Sequence, residues 1–157
     1  MTSSPPTRMV ERSLPSSLAG GYIEFIQEIL REMADLGWQK HDLFGVQMAL
    51  EETISNGIRH GNQEDPAKRV HVQCQLSPNR FWAQIQDEGD GFCPDGVPDC
   101  CAEENLEAPG GRGLALICGF MTHVNYNDCG NCITLEKLVD TAESGSDNPS
   151  DPHRPPK

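Results

Sequence analysis

Glu52, Asn56 and His60 stand four residues apart in the run Glu52-Thr-Ile-Ser-Asn56-Gly-Ile-Arg-His60. On a helix that spacing lays all three along one stripe. A carboxylate one turn from a carboxamide allows two kinds of chemistry side by side. The carboxamide oxygen can coordinate a hard cation such as Mg2+, and the carboxylate can polarise a hydroxyl or a water. The same row also fits a solvated polar face. A second group, Asp87-Glu-Gly89-Asp-Gly91-Phe92, follows an alternating apolar stretch. An Asp at a strand end can accept a hydrogen bond from a buried amino group, the exocyclic amine of adenine being one example. Glycines two apart let the backbone pass close to a flat ligand. A calcium loop of the EF-hand kind is excluded, because the twelfth position counted from Asp87 is Pro98 rather than Glu. A plain Gly-rich turn remains open.

The third group is Gly110-Gly111-Arg112-Gly113-Leu114. At the start of a helix its N–H groups would form an anion site, and Arg112 would add a forked phosphate contact. It is no Walker A loop, which ends in Gly-Lys-Ser/Thr, and no dinucleotide fingerprint, since Leu116 occupies the third glycine position. A helix cap is the alternative. Each group alone is a weak signal; the three in this order are a strong one.

The elements that must position them can be read from periodicity. Tyr22, Ile23, Ile26, Ile29, Leu30 and Met33 recur at helical spacing within residues 18–36, with Gly37 placed to end the helix. A second helix runs from about Asp42 to Arg59, with Leu43, Val46, Leu50, Thr53 and Ile54 as its core face and His60-Gly61-Asn62 closing it. The period then becomes two. Val70, Val72, Cys74 and Leu76 alternate over residues 69–76, the stretch 77–80 turns, and Phe81, Ala83 and Ile85 alternate toward Asp87, which is a β-hairpin. Residues 92–109 read as loop, 113–121 as a short helix, and 123–126 and 132–138 as strands. The expected fold is α+β, a two-layer sandwich with helices on one face of a mostly antiparallel sheet.

The chain of 157 residues fits one domain. Residues 1–12 read as a flexible leader, 13–139 as the folded domain and 140–157 as a disordered acidic, Pro-rich tail. The formal charge of −12 argues against nucleic acid and against an anionic membrane as partners. No apolar run is long enough to span a bilayer and no signal peptide is evident, so a cytoplasmic location is expected. Seven cysteines, an odd number, do not make a disulfide framework in that setting, and reduced thiols are expected. Cys129-Gly-Asn-Cys132 reads as a turn entering a strand rather than as half of a zinc site. Trp38 and Trp82 read as packing residues.

Glu-x-x-x-Asn-x-x-x-His, then Asp-x-Gly-x-Gly-Phe, then Gly-x-Gly-Leu resembles the N box and glycine boxes of the GHKL ATPases, a superfamily that includes histidine kinases and gyrase. Within it the chain looks most like the anti-sigma-factor serine/threonine kinases, over residues 12–139. The resemblance implies a Bergerat fold that binds ATP and Mg2+. Asn56 would ligand Mg2+ and Asp87 would read the adenine amine. Gly89, Gly91 and Phe92 would shape the base pocket, with Thr134 near the adenine. Gly111, Arg112, Gly113 and Leu114 would hold the phosphates under a lid spanning 93–112. His60 would touch phosphate or cap its helix.

Glu52 would be the general base that accepts the proton of a serine or threonine on an anti-anti-sigma (STAS) protein. Competition between that partner and a sigma factor would give partner switching, and a homodimer is the family expectation. Two features depart from the pattern: Cys93 and Cys100 in the lid, and Thr122-His123 where an acidic residue commonly follows the methionine. The competing reading is a catalytically inactive, nucleotide-gated binding module of the same fold. A histidine-kinase catalytic domain is disfavoured, because the chain has no room for a phosphoacceptor hairpin.

Overall fold

The computed structural model describes residues 6–89, 117–127 and 130–139. The lid, Gly91, Phe92, the run Gly110 to Leu114, Cys129 and the tail lie outside the described residues.

The first apolar period folds as a helix, α1 (Tyr22–Asp35), whose Phe25, Ile26, Ile29 and Met33 are buried. It stops because Gly37 takes φ of 100°. The Gly37 N–H then bonds the Ala34 carbonyl at 3.0 Å and the Trp38 N–H bonds the Met33 carbonyl at 3.1 Å, a glycine-closed C-terminus of the Schellman type. Trp38 is buried and donates its indole N–H to the Ser77 carbonyl at 2.8 Å. The second helix, α2 (Lys40–Asn56), buries Val46, Ala49, Leu50, Thr53 and Ile54. It passes at Asn56 into a π-helical turn, Gly57–Gly61.

The strands are β1 (Arg8–Pro15), β2 (Arg69–Leu76), β3 (Arg80–Gln86), β4 (His123–Tyr126) and β5 (Cys132–Leu138). They form one five-stranded sheet in the order β1-β2-β3-β5-β4, and every pairing is antiparallel. Val70, Val72, Cys74 and Leu76, then Phe81, Ala83 and Ile85, then Val124, Ile133 and Leu135 join the helical side chains in one core. Their alternating neighbours stay half-buried or exposed. A slip of one residue in β2 or β3 would send these apolar side chains to water, at about 1.5–3 kcal/mol for each large one, so the register is firmly set. Burial pushes the Cys74 thiol up to about 12, which marks it as packing rather than a nucleophile.

The fold is therefore α+β, with helices on one face of an antiparallel sheet, as expected. Two readings need correction. Arg8–Pro15 is a strand paired with all eight residues of β2, so the leader expected over residues 1–12 does not extend through Arg12. Its alternation is weak because it is an edge strand. Arg8 pairs with Glu32, Arg12 bonds Glu28 at 2.9 Å, and the Arg12 guanidinium lies 5.0 Å over the Phe25 ring. Charged stems thus do part of the covering that apolar side chains do elsewhere. The second correction concerns the thiols. Cys74 and Cys132 are free and buried, but Cys118 is disulfide-bonded.

Candidate functional site

Glu52 and Asn56 lie half-buried on α2, one turn apart. The Asn56 carboxamide donates from Nδ2 to Glu52 Oε1 at 3.1 Å. That bond fixes which way the amide faces, and it leaves Asn56 Oδ1 without a partner among the described residues. The stripe ends in a wider turn. The Asn62 N–H bonds the Gly57 carbonyl at 2.8 Å, one residue further along than an α-helical bond. His60 is exposed in this π turn and its ring makes no hydrogen bond among the described residues. The helix end is closed by backbone, and His60 stands with Arg59 as a basic residue in its last turn, where a cation is favourable.

The π turn brings the chain against Asp87, the first residue beyond β3. Gly57 is close enough that a Cβ there would sit 3.7 Å from the Asp87 Cβ, and a Cβ on Gly61 would fall 2.3 Å from the Asp87 carboxylate. A Cβ on Gly89 would fall 2.0 Å from the Gly61 carbonyl oxygen. Only hydrogen fits at Gly61 and Gly89. Sequence reasoning took Gly89 as a base-pocket residue and gave Gly61 no such part. A glycine next to a helix end gives no sign of what lies 26 residues further along.

Asp87 is fixed from three sides. Its N–H donates to the Asn131 carbonyl at 2.9 Å, its Oδ1 accepts the Gly89 N–H at 2.8 Å, and the next peptide is held through the Glu88 N–H to Asn62 Oδ1 at 2.7 Å. The carboxylate keeps Oδ2 without a partner among the described residues. Burial pushes its pKa above the usual carboxylate value, against the Gly89 N–H and the charge of Lys68, which both pull it down. Glu88, which is exposed, is held below its usual value by its bond to His71 and then by the Arg69 N–H. The site thus offers a poorly solvated acceptor at a strand end, and an ordered carboxylate–carboxamide pair on the adjoining helix.

The model of the histidine kinase-like ATPase domain matches residues 15–137. The chain belongs to that family. No curated protein matches the chain. Membership in the histidine kinase-like ATPase domain family carries ATP binding and ATP-utilising, kinase-like chemistry. Among the described residues no helix is long and apolar enough to cross a membrane.

Of the residues expected in this ATPase domain's site, the structure gathers Asn56, Asp87 and Gly89 around the end of α2, with Glu52 one turn back along the helix. Thr134 is not among them. It pairs with Gln84 of β3 and Asn125 of β4, and lines a shallow depression with Trp82, His123, Asn125 and Glu136. That is the sheet face away from the helices, so Thr134 cannot contact a base held between helices and sheet. The parity of β5 decides this, because Ile133 and Leu135 are its core-facing residues. Trp82 shares the open face and is half-buried, so it packs on the outer side of the sheet, whereas Trp38 is in the core.

Proposed function

We propose that this domain is a serine/threonine kinase of the anti-sigma-factor type. It transfers the γ-phosphate of ATP to a hydroxyl on a STAS-type anti-anti-sigma protein, and it controls a sigma factor through exchange between those two partners. The observation that carries the reading is the Glu52–Asn56 bond beside Asp87. Phosphoryl transfer asks chiefly for positioning, charge neutralisation and one oriented base. Glu52 is the base that accepts the hydroxyl proton, and Asn56 orients it through the amide. Asp87 accepts the exocyclic amine of adenine on its open oxygen.

The donor set suits Mg2+. Asn56 Oδ1 is a hard oxygen, and no cluster of three or more His, Cys, Asp or Glu forms among the described residues. Mg2+ is commonly held by one or two protein oxygens, with phosphates and water completing its shell. When bound it neutralises phosphate charge.

The test is transfer of radiolabel from γ-labelled Mg-ATP to a STAS-type protein from the same organism. Wild type should label one serine or threonine. Glu52→Gln should bind ATP within about twofold of wild type while losing roughly a hundredfold or more in transfer rate. Binding and partner exchange that survive in Glu52→Gln, with no transfer by wild type, would instead establish the catalytically inactive binding module.

A further inference from the structure

Asn62 is 1% exposed, and its carboxamide joins three parts of the chain distant in sequence. Nδ2 donates to Ser16 Oγ at 2.8 Å and to the Arg69 carbonyl at 3.0 Å. Oδ1 accepts the Glu88 N–H at 2.7 Å. The Ser16 hydroxyl in turn donates to the Lys68 carbonyl at 2.6 Å. Both donors of the amide are used, and the network has no unsatisfied buried side-chain atom. The backbone beyond it is strained: Gln63 and Glu64 follow with φ of 52° and 55°, a region non-glycine residues avoid unless their surroundings enforce it.

A residue serving only to tie β1 to β2 would need the two Nδ2 bonds. The third bond ends on the peptide between Asp87 and Glu88, which fixes the backbone torsion that aims Asp87. We propose that Asn62 is a positioning residue for base recognition, holding the Asp87 carboxylate aligned for the amino group of adenine. This rests on the reading of Asp87 given above. Asn62 touches no nucleotide in this scheme; it acts through the peptide it holds.

The experiment compares dissociation constants of Mg-ATP and Mg-inosine triphosphate, which carries an oxo group where adenine has its amine, by calorimetry on the full chain. Wild type should prefer ATP. Asn62→Ala should lower that preference roughly three- to tenfold, the range expected from losing the alignment of one hydrogen bond. Ser16→Ala is the control: it loosens the same buried network and lowers Tm, yet keeps the bond to Glu88 and should keep the preference. Adding Asn62→Ala to Asp87→Asn should remove no further preference, because the two act as one unit.

Should Asn62→Ala fail to fold, Asn62→Ser carries the same comparison, since its hydroxyl can serve the Ser16 side but is too short to reach the Glu88 N–H. An Asn62 variant that melts earlier but keeps the wild-type preference overturns the proposal and leaves Asn62 a structural tie. A wild type that binds both nucleotides equally overturns the reading of Asp87 itself, and this inference with it.

Discussion

Asp87 carries opposed demands. Burial raises its pKa, so ionising it costs the folded domain free energy, and that cost grows as pH rises from the usual Asp value to the folded one. Below the usual Asp pKa, where both states are protonated, the cost vanishes. Asp87→Asn should therefore melt above wild type at neutral pH without nucleotide, and the gap should close as pH falls toward the acid range. The same variant should lose its preference for ATP. Melting by circular dichroism across pH, alongside calorimetry, checks both halves. A variant less stable than wild type at pH 7 would mean that the Gly89 N–H and Lys68 outweigh desolvation. Glu52, Asn56 and Asp87 were legible in the sequence because helical and strand periods placed them. Asn62 was not, since its partners lie 46, 7 and 26 residues away. Thr134 was misassigned for want of one fact, the side of β5 on which the alternation falls.

The strands and helices were the more readable level. β2 falls where alternation put it, β4 and β5 match the strands read over 123–126 and 132–138, and α1 ends at the glycine expected to end it. β1 escaped notice because an edge strand covered by arginine stems lacks an apolar alternation. The π turn escaped too, because nothing in Gly-Ile-Arg-His-Gly distinguishes one more helical turn from a wider one. Its consequence is testable at Gly61. In Gly61→Ala the added methyl must displace the Asp87 carboxylate, because the clash at 2.3 Å is far inside contact distance. We expect a loss of about 1–3 kcal/mol in stability, in the range of overpacking changes, and at least a roughly tenfold loss of ATP affinity as the acceptor moves. Urea unfolding with calorimetry measures both. Affinity unchanged in a destabilised variant would place the base elsewhere than against Asp87.

For the whole molecule, one layer of helix on one layer of sheet leaves a core that ligand binding can visibly reinforce. Mg-ATP at a hundredfold excess over its dissociation constant should add about 2.7 kcal/mol to stability. For a domain of this size that is a rise in Tm of several degrees, about 5–15 °C. Chelating Mg2+ should remove most of it, as should Asn56→Ala in the presence of Mg2+. A shift independent of both would detach Asn56 from the metal. With a formal charge of −12 the overall field does not favour phosphate, so ATP binding has to rest on local donors.

The meeting of Gly61 and Gly89 has a further meaning for how this chain can vary. Every single-base change that replaces a glycine codon with another amino acid introduces at least a Cβ. At these two positions that atom meets a carboxylate or a carbonyl already in place. A change at Gly61 moves the Asp87 carboxylate and a change at Gly89 moves the Gly61 backbone, so either substitution is felt at the same corner.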